Sequence, residues 1–271
     1  ILMKEQLWAS CEMSEENEDA CQKMTHKFWP LMGGMDYKYN ITTASQVQFK
    51  PSQSARHSQY ICAPGGAAGL GPLTDHGTKK LHGWIRDDYK ITHNHGRGAM
   101  LYEFRNFMLD NLKLPITTLN PNPPYKIVFS LSSSDIPARN LDFVKQMDTL
   151  QQNFPDTSVE AYVMKDLTVQ EQVKLASETS IFVTMCGGGA VTGMFLPKGA
   201  SVILYYLERG GVEYGIFTGE PAQLDWDLFN NLSHLRVHWL PTTTMDQRVD
   251  LRALVLLVRH ELEIIRDQTL M

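Results

Sequence analysis

A turn of three glycines is the part of the chain whose residue types point most directly to chemistry. It follows an apolar segment predicted to be a buried strand, Ser180–Met185, and precedes a predicted short helix, Ala190–Leu196. Glycines at the carboxyl end of a strand let a ligand approach the backbone, and the first N–H groups of a helix bind anions. The pattern predicts a diphosphate site, and the alternative is a tight turn without a ligand. The predicted contacts are Cys186, Gly187, Gly188, Gly189 and Ala190.

A hydroxyl-rich loop that ends with an arginine follows an earlier predicted strand, Tyr125–Leu131. Residues 130–140 read SLSSSDIPARN. The guanidinium of Arg139 can donate two parallel hydrogen bonds to a phosphate, which a lysine cannot do. We therefore predict that Arg139 is the cationic partner of the same diphosphate. A solvated loop with a surface arginine is the alternative.

A helix start is predicted at Thr168. Thr168 and Glu171 have the spacing of a capping box, in which each side chain bonds the backbone N–H of the other residue. Capping accounts for both residues. Gln172 is left as a polar residue in the first turn, near the predicted carboxyl edge of the sheet.

The candidates for an acid–base role lie in the first third of the chain. Residues 65–77 (GGAAGLGPLTDHG) combine a flexible backbone with Asp75 and His76, and a histidine titrates near pH 7. We predict that one of these two residues is the catalytic base, with His93 or His95 as the next candidates. No metal site is predicted, because the cysteines and histidines lack the spacing of ligand sets.

The order of elements predicts two domains. Residues 1–114 form the predicted N-terminal lobe, 115–124 a proline-rich linker, and 125–271 a C-terminal lobe in which strands and helices alternate. Such alternation is typical of a doubly wound, mostly parallel sheet with its ligand at the carboxyl ends of the strands. Helical periodicity before the linker places Leu101, Phe104, Phe107, Met108 and Leu112 on one face.

Charge and composition limit the kinds of binding partner and the cellular compartment that can be expected. The net charge of −5 gives no reason to expect nucleic acid. Two glycosylation triplets, at Asn40 and Asn231, favour the secretory lumen and require exposed asparagines. Cys11 and Cys21 either form a local disulfide or remain free thiols. Because the chain begins with Ile1, we expect an upstream segment, where a membrane anchor would lie; no apolar run of about 18 residues is present within the chain.

The ordered set of motifs resembles the C-terminal domain of glycosyltransferase family 61, which includes plant xylan arabinosyl- and xylosyltransferases and animal O-linked N-acetylglucosaminyltransferases. The resemblance covers about residues 100–265. The segments that carry it are Ala138-Arg139-Asn140, Glu171-Gln172, Cys186-Gly187-Gly188-Gly189 and Phe195-Leu196-Pro197-Lys198-Gly199-Ala200. It adds Asn140 and Gln172 to the expected donor contacts.

The resemblance implies an α/β protein of the GT-B type, with two Rossmann-like lobes. Such an enzyme moves a sugar from a nucleotide sugar, expected to be UDP-linked, to a glycan or glycoprotein acceptor, with inversion and without an obligatory metal. It would work in the Golgi or endoplasmic reticulum lumen. Two positions depart from the family pattern, since Cys186 replaces a histidine and Leu204 replaces a glutamate. They favour the alternative of a non-catalytic binding or structural subunit; another nucleotide-using α/β enzyme is a third option.

Overall fold

The computed structural model describes residues 27–28, 30–35, 97–131, 141–207, 228–242 and 250–267. The chain divides into two compact units after Gly71. In the first unit, residues 27–28 and 30–33 are helical. The described residues from 97 onwards belong to the second unit.

The second unit is built on a five-stranded sheet in which every pair of neighbours is parallel. The strands are β1 (Tyr125–Leu131), β2 (Thr157–Val163), β3 (Ile181–Met185), β4 (Ser201–Leu207) and β5 (Arg236–Thr242). Their order is β2-β1-β3-β4-β5. The predicted parallel sheet with a central strand near residues 180–185 is therefore confirmed.

Among the described residues, four α-helices with complete bounds accompany the sheet. They are α1 (Arg97–Asn111), α2 (Val144–Asn153), α3 (Val169–Ser177) and α4 (Leu251–Asp267). At the start of helix α2, Asp142 Oδ1 accepts a hydrogen bond from the N–H of Val144. The segment predicted as a helix from Ala190 is a 3₁₀ helix, Gly188–Phe195, called the turn helix below.

Both faces of the sheet are buried, which explains the continuous apolar runs of its strands. One face packs against α2 and α4 through a core that includes Ile127, Phe129, Val183 and Tyr205. Alternate residues point to the other face, where the rings of Phe182 and Phe229 lie against Gly193 of the turn helix. A Cβ atom on Gly193 would come within 3.3 Å of the Phe229 ring, so this helix packs closely on the sheet.

The proline-rich segment 115–124 is hydrogen-bonded to the sheet unit. Thr117 Oγ1 donates to the carbonyl of Ser177 at 2.6 Å, and Thr118 forms a parallel bridge with Lys198. The hydroxyl of Tyr125 donates to the carbonyl of Pro121 at 2.9 Å. The segment thus runs along the sheet unit, while the predicted lobe boundaries at 114 and 125 stay predictions.

Candidate functional site

The carboxyl ends of β1 and β3 form the point at which the strand order reverses. The chain leaves β1 towards β2 on one side and leaves β3 towards β4 on the other. Open α/β sheets bind their ligands in the crevice at such a switch point, because the loops there diverge to opposite faces. The glycine turn directly follows β3 and therefore lies at this point.

The backbone of the glycine turn borders open space. A Cβ atom on Gly187 or Gly188 would meet nothing within 4 Å, and Gly188 is exposed. Gly187 has a φ of 140°, a conformation that side chains disfavour. The turn thus needs a glycine at 187 for its shape, whereas position 188 leaves room for a ligand without being required by the backbone.

The donors of the turn differ from the expectation at Ala190. Its N–H donates to the carbonyl of Gly187 at 2.9 Å, which starts the 3₁₀ pattern, so in this conformation it is not free for a ligand. The N–H groups of Gly188 and Gly189 precede the first intrahelical bond and have no partner within the helix by position. Cys186 is a buried thiol, and its N–H donates to the carbonyl of Tyr205. Its backbone therefore joins β4 rather than facing a ligand.

Gln172 connects the turn helix to the loop after β2. Its Nε2 donates to the carbonyls of Met164 at 2.7 Å and Leu167 at 3.1 Å, and its Oε1 accepts from Thr192 Oγ1 at 3.3 Å. Both amide hydrogens are engaged within the protein. In this arrangement Gln172 positions the turn helix, and its predicted direct contact with a donor stays a prediction.

The predicted capping box at the start of α3 is confirmed. Thr168 Oγ1 accepts from the N–H of Glu171, and Glu171 Oε2 accepts from the N–H of Thr168 at 2.8 Å. Hydrogen bonds from the Thr168 side chain and backbone lower the pKa of Glu171. These bonds fix the start of α3 and thereby the place of Gln172 in its first turn.

The carboxyl end of the turn helix is held by two basic side chains. The guanidinium of Arg105, on α1, is fully buried and donates to the carbonyl of Phe195 at 3.3 and 3.1 Å. His234 Nε2 lies 3.2 Å from the carbonyl of Met194. Burial lowers the pKa of His234 to about 4, assisted by the charge of Arg105 and opposed by the hydrogen bond to Met194. A pKa near 4 leaves His234 uncharged at neutral pH, so Arg105 is the cationic donor of the two. A cation at the carboxyl end of a helix is favourable, and Arg105 therefore stabilises the turn helix at this end.

Helix α1 departs from the predicted apolar face at two positions. Leu101, Met108 and Leu112 are buried as expected, but Phe107 is 47% exposed and Arg105 is fully buried. Arg105 lies one turn after Leu101 and so shares its buried side. This spacing was the available signal for a functional arginine that the apolar pattern concealed.

A serine that the predicted contacts did not include lies under the glycine turn. Ser130 is near the end of β1 and 2% exposed. Its Oγ is 3.0 Å from the position that a Cβ atom on Gly189 would occupy. The neighbouring contacts predicted from the sequence, Arg139 and Asn140, lie outside the described residues, as do Asp75 and His76.

Four further expectations can be compared with the described residues. Asn231 is 1% exposed, so the triplet at this position is not available for glycosylation; Asn40 lies outside the described residues. Leu204 is fully buried within β4, between Thr184 and Trp239 on the neighbouring strands. Among the described residues, no group of three or more His, Cys, Asp or Glu side chains is arranged to hold a metal. No helix in the described ranges has the length and apolarity to cross a bilayer.

The strand order, the parallel register and the glycine turn at the switch point define a Rossmann-like α/β domain. Residues 81–203, less than half of the chain, match the family model described as glycosyltransferase 61. The match begins before α1 and ends within β4. The family segment therefore includes the helix that carries Arg105 as well as the glycine turn.

Two individual proteins are similar to the chain. Human protein O-linked-mannose beta-1,4-N-acetylglucosaminyltransferase 2 is 30% identical over 106 residues, which are 39% of this chain and 18% of that protein. The chain thus spans less than a fifth of the length of this relative. The flavodoxin-like domain of a Synechococcus protein is 14% identical, covers 53% of this chain and 97% of its own, and has a TM-score of 0.32.

Proposed function

We propose that this chain carries the donor-binding domain of an inverting glycosyltransferase that moves a sugar from a UDP-sugar to a glycan or glycoprotein. The observation that supports it best is the exposed glycine turn at the switch point, within a chain segment that matches the glycosyltransferase 61 family model. Since the human relative is named a protein O-linked-mannose beta-1,4-N-acetylglucosaminyltransferase, UDP-N-acetylglucosamine is the first donor to test.

The diphosphate of the donor binds, in this proposal, against the N–H groups of Gly188 and Gly189. The turn helix presents the positive end of its dipole there. Strand β1 ends at Leu131 beside the turn, so the segment that contains Arg139 and Asn140 begins at the same edge. The guanidinium of Arg139 would neutralise the second phosphate. These groups would stabilise the leaving UDP without an obligatory metal.

The acceptor side of the reaction is assigned to the N-terminal lobe of a GT-B arrangement. Asp75 or His76 would take the proton of the acceptor hydroxyl as its oxygen attacks the anomeric carbon, and the bond to UDP would break on the opposite face of the sugar. One displacement of this kind inverts the anomeric centre. His93 and His95 are the next candidates for the base, and the Golgi or endoplasmic reticulum lumen is the proposed compartment.

A non-catalytic binding or structural subunit is the second candidate. Leu204, which takes the place of a glutamate of the family pattern, is buried in the sheet and presents no polar group to a ligand. Cys186, which takes the place of a histidine, is likewise buried. Sugar release from UDP-N-acetylglucosamine would exclude this candidate, whereas binding without turnover across a panel of acceptors would favour it.

Calorimetric titration with UDP tests the cationic partner. Losing one charge-assisted phosphate contact costs about 1.5–3 kcal/mol, so Arg139→Ala should weaken UDP binding roughly 10- to 150-fold. Arg266→Ala is the matched control, because it removes the same charge from the exposed end of α4. Equal affinity of both variants would remove Arg139 from the site.

A second pair of variants tests the glycine turn. Gly188→Val should block the diphosphate while the fold stays intact, because its Cβ atom points into open space. Leu256→Ala, at an exposed position of α4, is the control for a surface change elsewhere. If the unmodified chain binds neither UDP nor UDP-N-acetylglucosamine, or Gly188→Val binds UDP as well as it does, the proposed donor site is wrong.

A further inference from the structure

The hydroxyl of Ser130 differs from the hydroxyls beside it on the same face of the sheet. Register pairs Ser130 with Tyr162 on β2 and with Thr184 on β3, so the three side chains form a row at the carboxyl edge. Tyr162 donates to Glu160 Oε2 at 2.6 Å, and Thr184 donates to the carbonyl of Met185 at 3.1 Å. For Ser130, the described residues provide no hydrogen-bond partner, although it is 2% exposed.

The direction of this hydroxyl is set by Gly189. Ser130 Oγ lies 3.0 Å from the point where a Cβ atom on Gly189 would stand, which is tighter than nearly all such contacts in proteins. Any other residue at 189 would press on the hydroxyl and cover it. The hydroxyl therefore points at the backbone of the same turn whose N–H groups face open space at Gly188.

Within the described residues, Ser130 Oγ does not belong to the fully enclosed side-chain atoms that lack a partner, so the hydroxyl keeps access to the space beside the turn. A hydroxyl at this position becomes favourable once an acceptor arrives at the turn. Phosphate oxygens are such acceptors, and the dipole of the turn helix attracts them to this point.

We propose that Ser130 is a ligand-contact residue, whose hydroxyl donates to a phosphate oxygen of a nucleoside diphosphate held at the glycine turn. This assignment rests on the proposed function and adds a side-chain donor from β1 to the backbone donors of the turn. It also gives a reason for the third glycine, because the absence of a side chain at 189 keeps the hydroxyl within reach of the ligand.

The test compares Ser130→Ala with Thr184→Val, which removes a neighbouring hydroxyl that is bonded within the protein. Ser130→Ala should raise the Kd for UDP about three- to tenfold, the effect of one hydrogen bond, while the melting temperature without ligand stays equal or rises. Thr184→Val should lower the melting temperature and leave the Kd for UDP unchanged. Opposite patterns in the two variants separate a ligand contact from a structural hydroxyl.

Titrations with inorganic pyrophosphate and uridine locate the contact. The loss in Ser130→Ala should appear with pyrophosphate as well as UDP and should be missing with uridine. If the unmodified chain binds UDP and Ser130→Ala binds it equally well, or the loss appears with uridine, the assignment of Ser130 is wrong while the proposed function stands. If the unmodified chain binds no UDP, the proposed function fails first and this contact fails with it.

Discussion

At the amino edge of the sheet, where β4 and β5 begin, polar side chains are bonded to one another around a buried carboxylate. Glu261, on α4, is 1% exposed and accepts hydrogen bonds from Ser201 Oγ and, at 2.5 Å, from Arg236 Nε. His238 Nε2 lies 3.0 Å from its other oxygen. Burial raises the pKa of Glu261, but the bonds from His238, Ser201 and Arg236 outweigh it and lower the pKa to about 2.

At the carboxyl edge of the same sheet, the described residues leave several polar groups without a hydrogen-bond partner. The N–H groups of Gly188 and Gly189 lie before the first intrahelical bond, and the hydroxyl of Ser130 has no partner among the described residues. Side-chain hydrogen bonds nevertheless hold the turn helix in place. Thr192 donates to Gln172, and Arg105 donates to the carbonyl of Phe195. Rigid support around unpaired donors is what a binding site requires.

The polar groups at the two edges of the sheet therefore have different roles. A carboxylate whose partners all come from the protein fixes α4 to the sheet and offers nothing to a ligand. Donors that the fold positions and leaves unpaired gain a partner when a ligand binds, so their cost in the free protein is recovered as affinity. Changes at the amino edge should therefore act on stability, and changes at the carboxyl edge on UDP binding.

The largest expected effect is the loss of the buried carboxylate. Glu261→Ala should lower the free energy of unfolding by about 3–5 kcal/mol, because Arg236 and His238 lose the charge that they surround. Urea denaturation measures this loss, and Glu263→Ala, at an exposed position of the same helix, serves as the control. A loss of unfolding free energy below about 1 kcal/mol, or a weaker UDP affinity in the folded variant, would contradict the proposal that the amino edge serves stability and the carboxyl edge serves UDP binding.

The next effect is a dependence of stability on pH behind the turn helix. The pKa of His234 is about 4 in the folded protein and near 6.5 when unfolded, so the unfolded state binds the proton first as the pH falls. Stability should be fully present above pH 6.5 and should decrease by about 3 kcal/mol on the way to pH 4. The ring of Tyr102 lies 5.1 Å from the imidazole ring, and the charge of Arg105 acts on the imidazole as well.

Denaturation curves of His234→Gln and His260→Gln between pH 7 and pH 4.5 check this expectation. His260 lies exposed on α4 and is the control. The part of the pH dependence that His234 causes should disappear in the first variant and persist in the second. If the unfolding free energy of His234→Gln falls with pH as steeply as that of the unmodified chain, the buried imidazole is not responsible.

The smallest effects distinguish two adjacent glycines. Gly187→Ala should cost about 1–3 kcal/mol of stability, because its φ of 140° and ψ of −169° lie in a region that glycine occupies almost exclusively. Gly188→Ala should change stability by less than about 0.5 kcal/mol, since its Cβ atom meets nothing within 4 Å. Thermal unfolding of both variants gives the comparison. Similar losses at the two positions would mean that the turn has another conformation in solution.

The sheet and its switch point could be predicted from the sequence because their signals are local. Buried parallel strands appear as continuous apolar runs, as in residues 201–207, and the capping box announces the start of α3. The glycine turn could be placed at the carboxyl edge once β3 was recognised. Alternation of strands and helices then gave the parallel arrangement.

The remaining features depend on contacts between distant parts of the chain. The spacing from Leu101 places Arg105 on the buried side of α1, but its acceptor at Phe195 lies ninety residues away and no local pattern identifies it. The engagement of Gln172 with Met164 and the burial of Asn231 depend likewise on tertiary packing. Tertiary contacts likewise decide that Tyr162 and Thr184 have hydrogen-bond partners whereas Ser130 has none among the described residues.

Hydrogen–deuterium exchange of the whole chain with and without saturating UDP reports both edges of the sheet in one experiment. If UDP binds at the carboxyl edge, exchange should slow in peptides that contain Gly188 and Gly189 and at the end of β1. Exchange around Ser201, Arg236 and Glu261 should not change. Exchange that UDP leaves unchanged at the glycine turn, or slows at the amino edge instead, would contradict binding at the carboxyl edge.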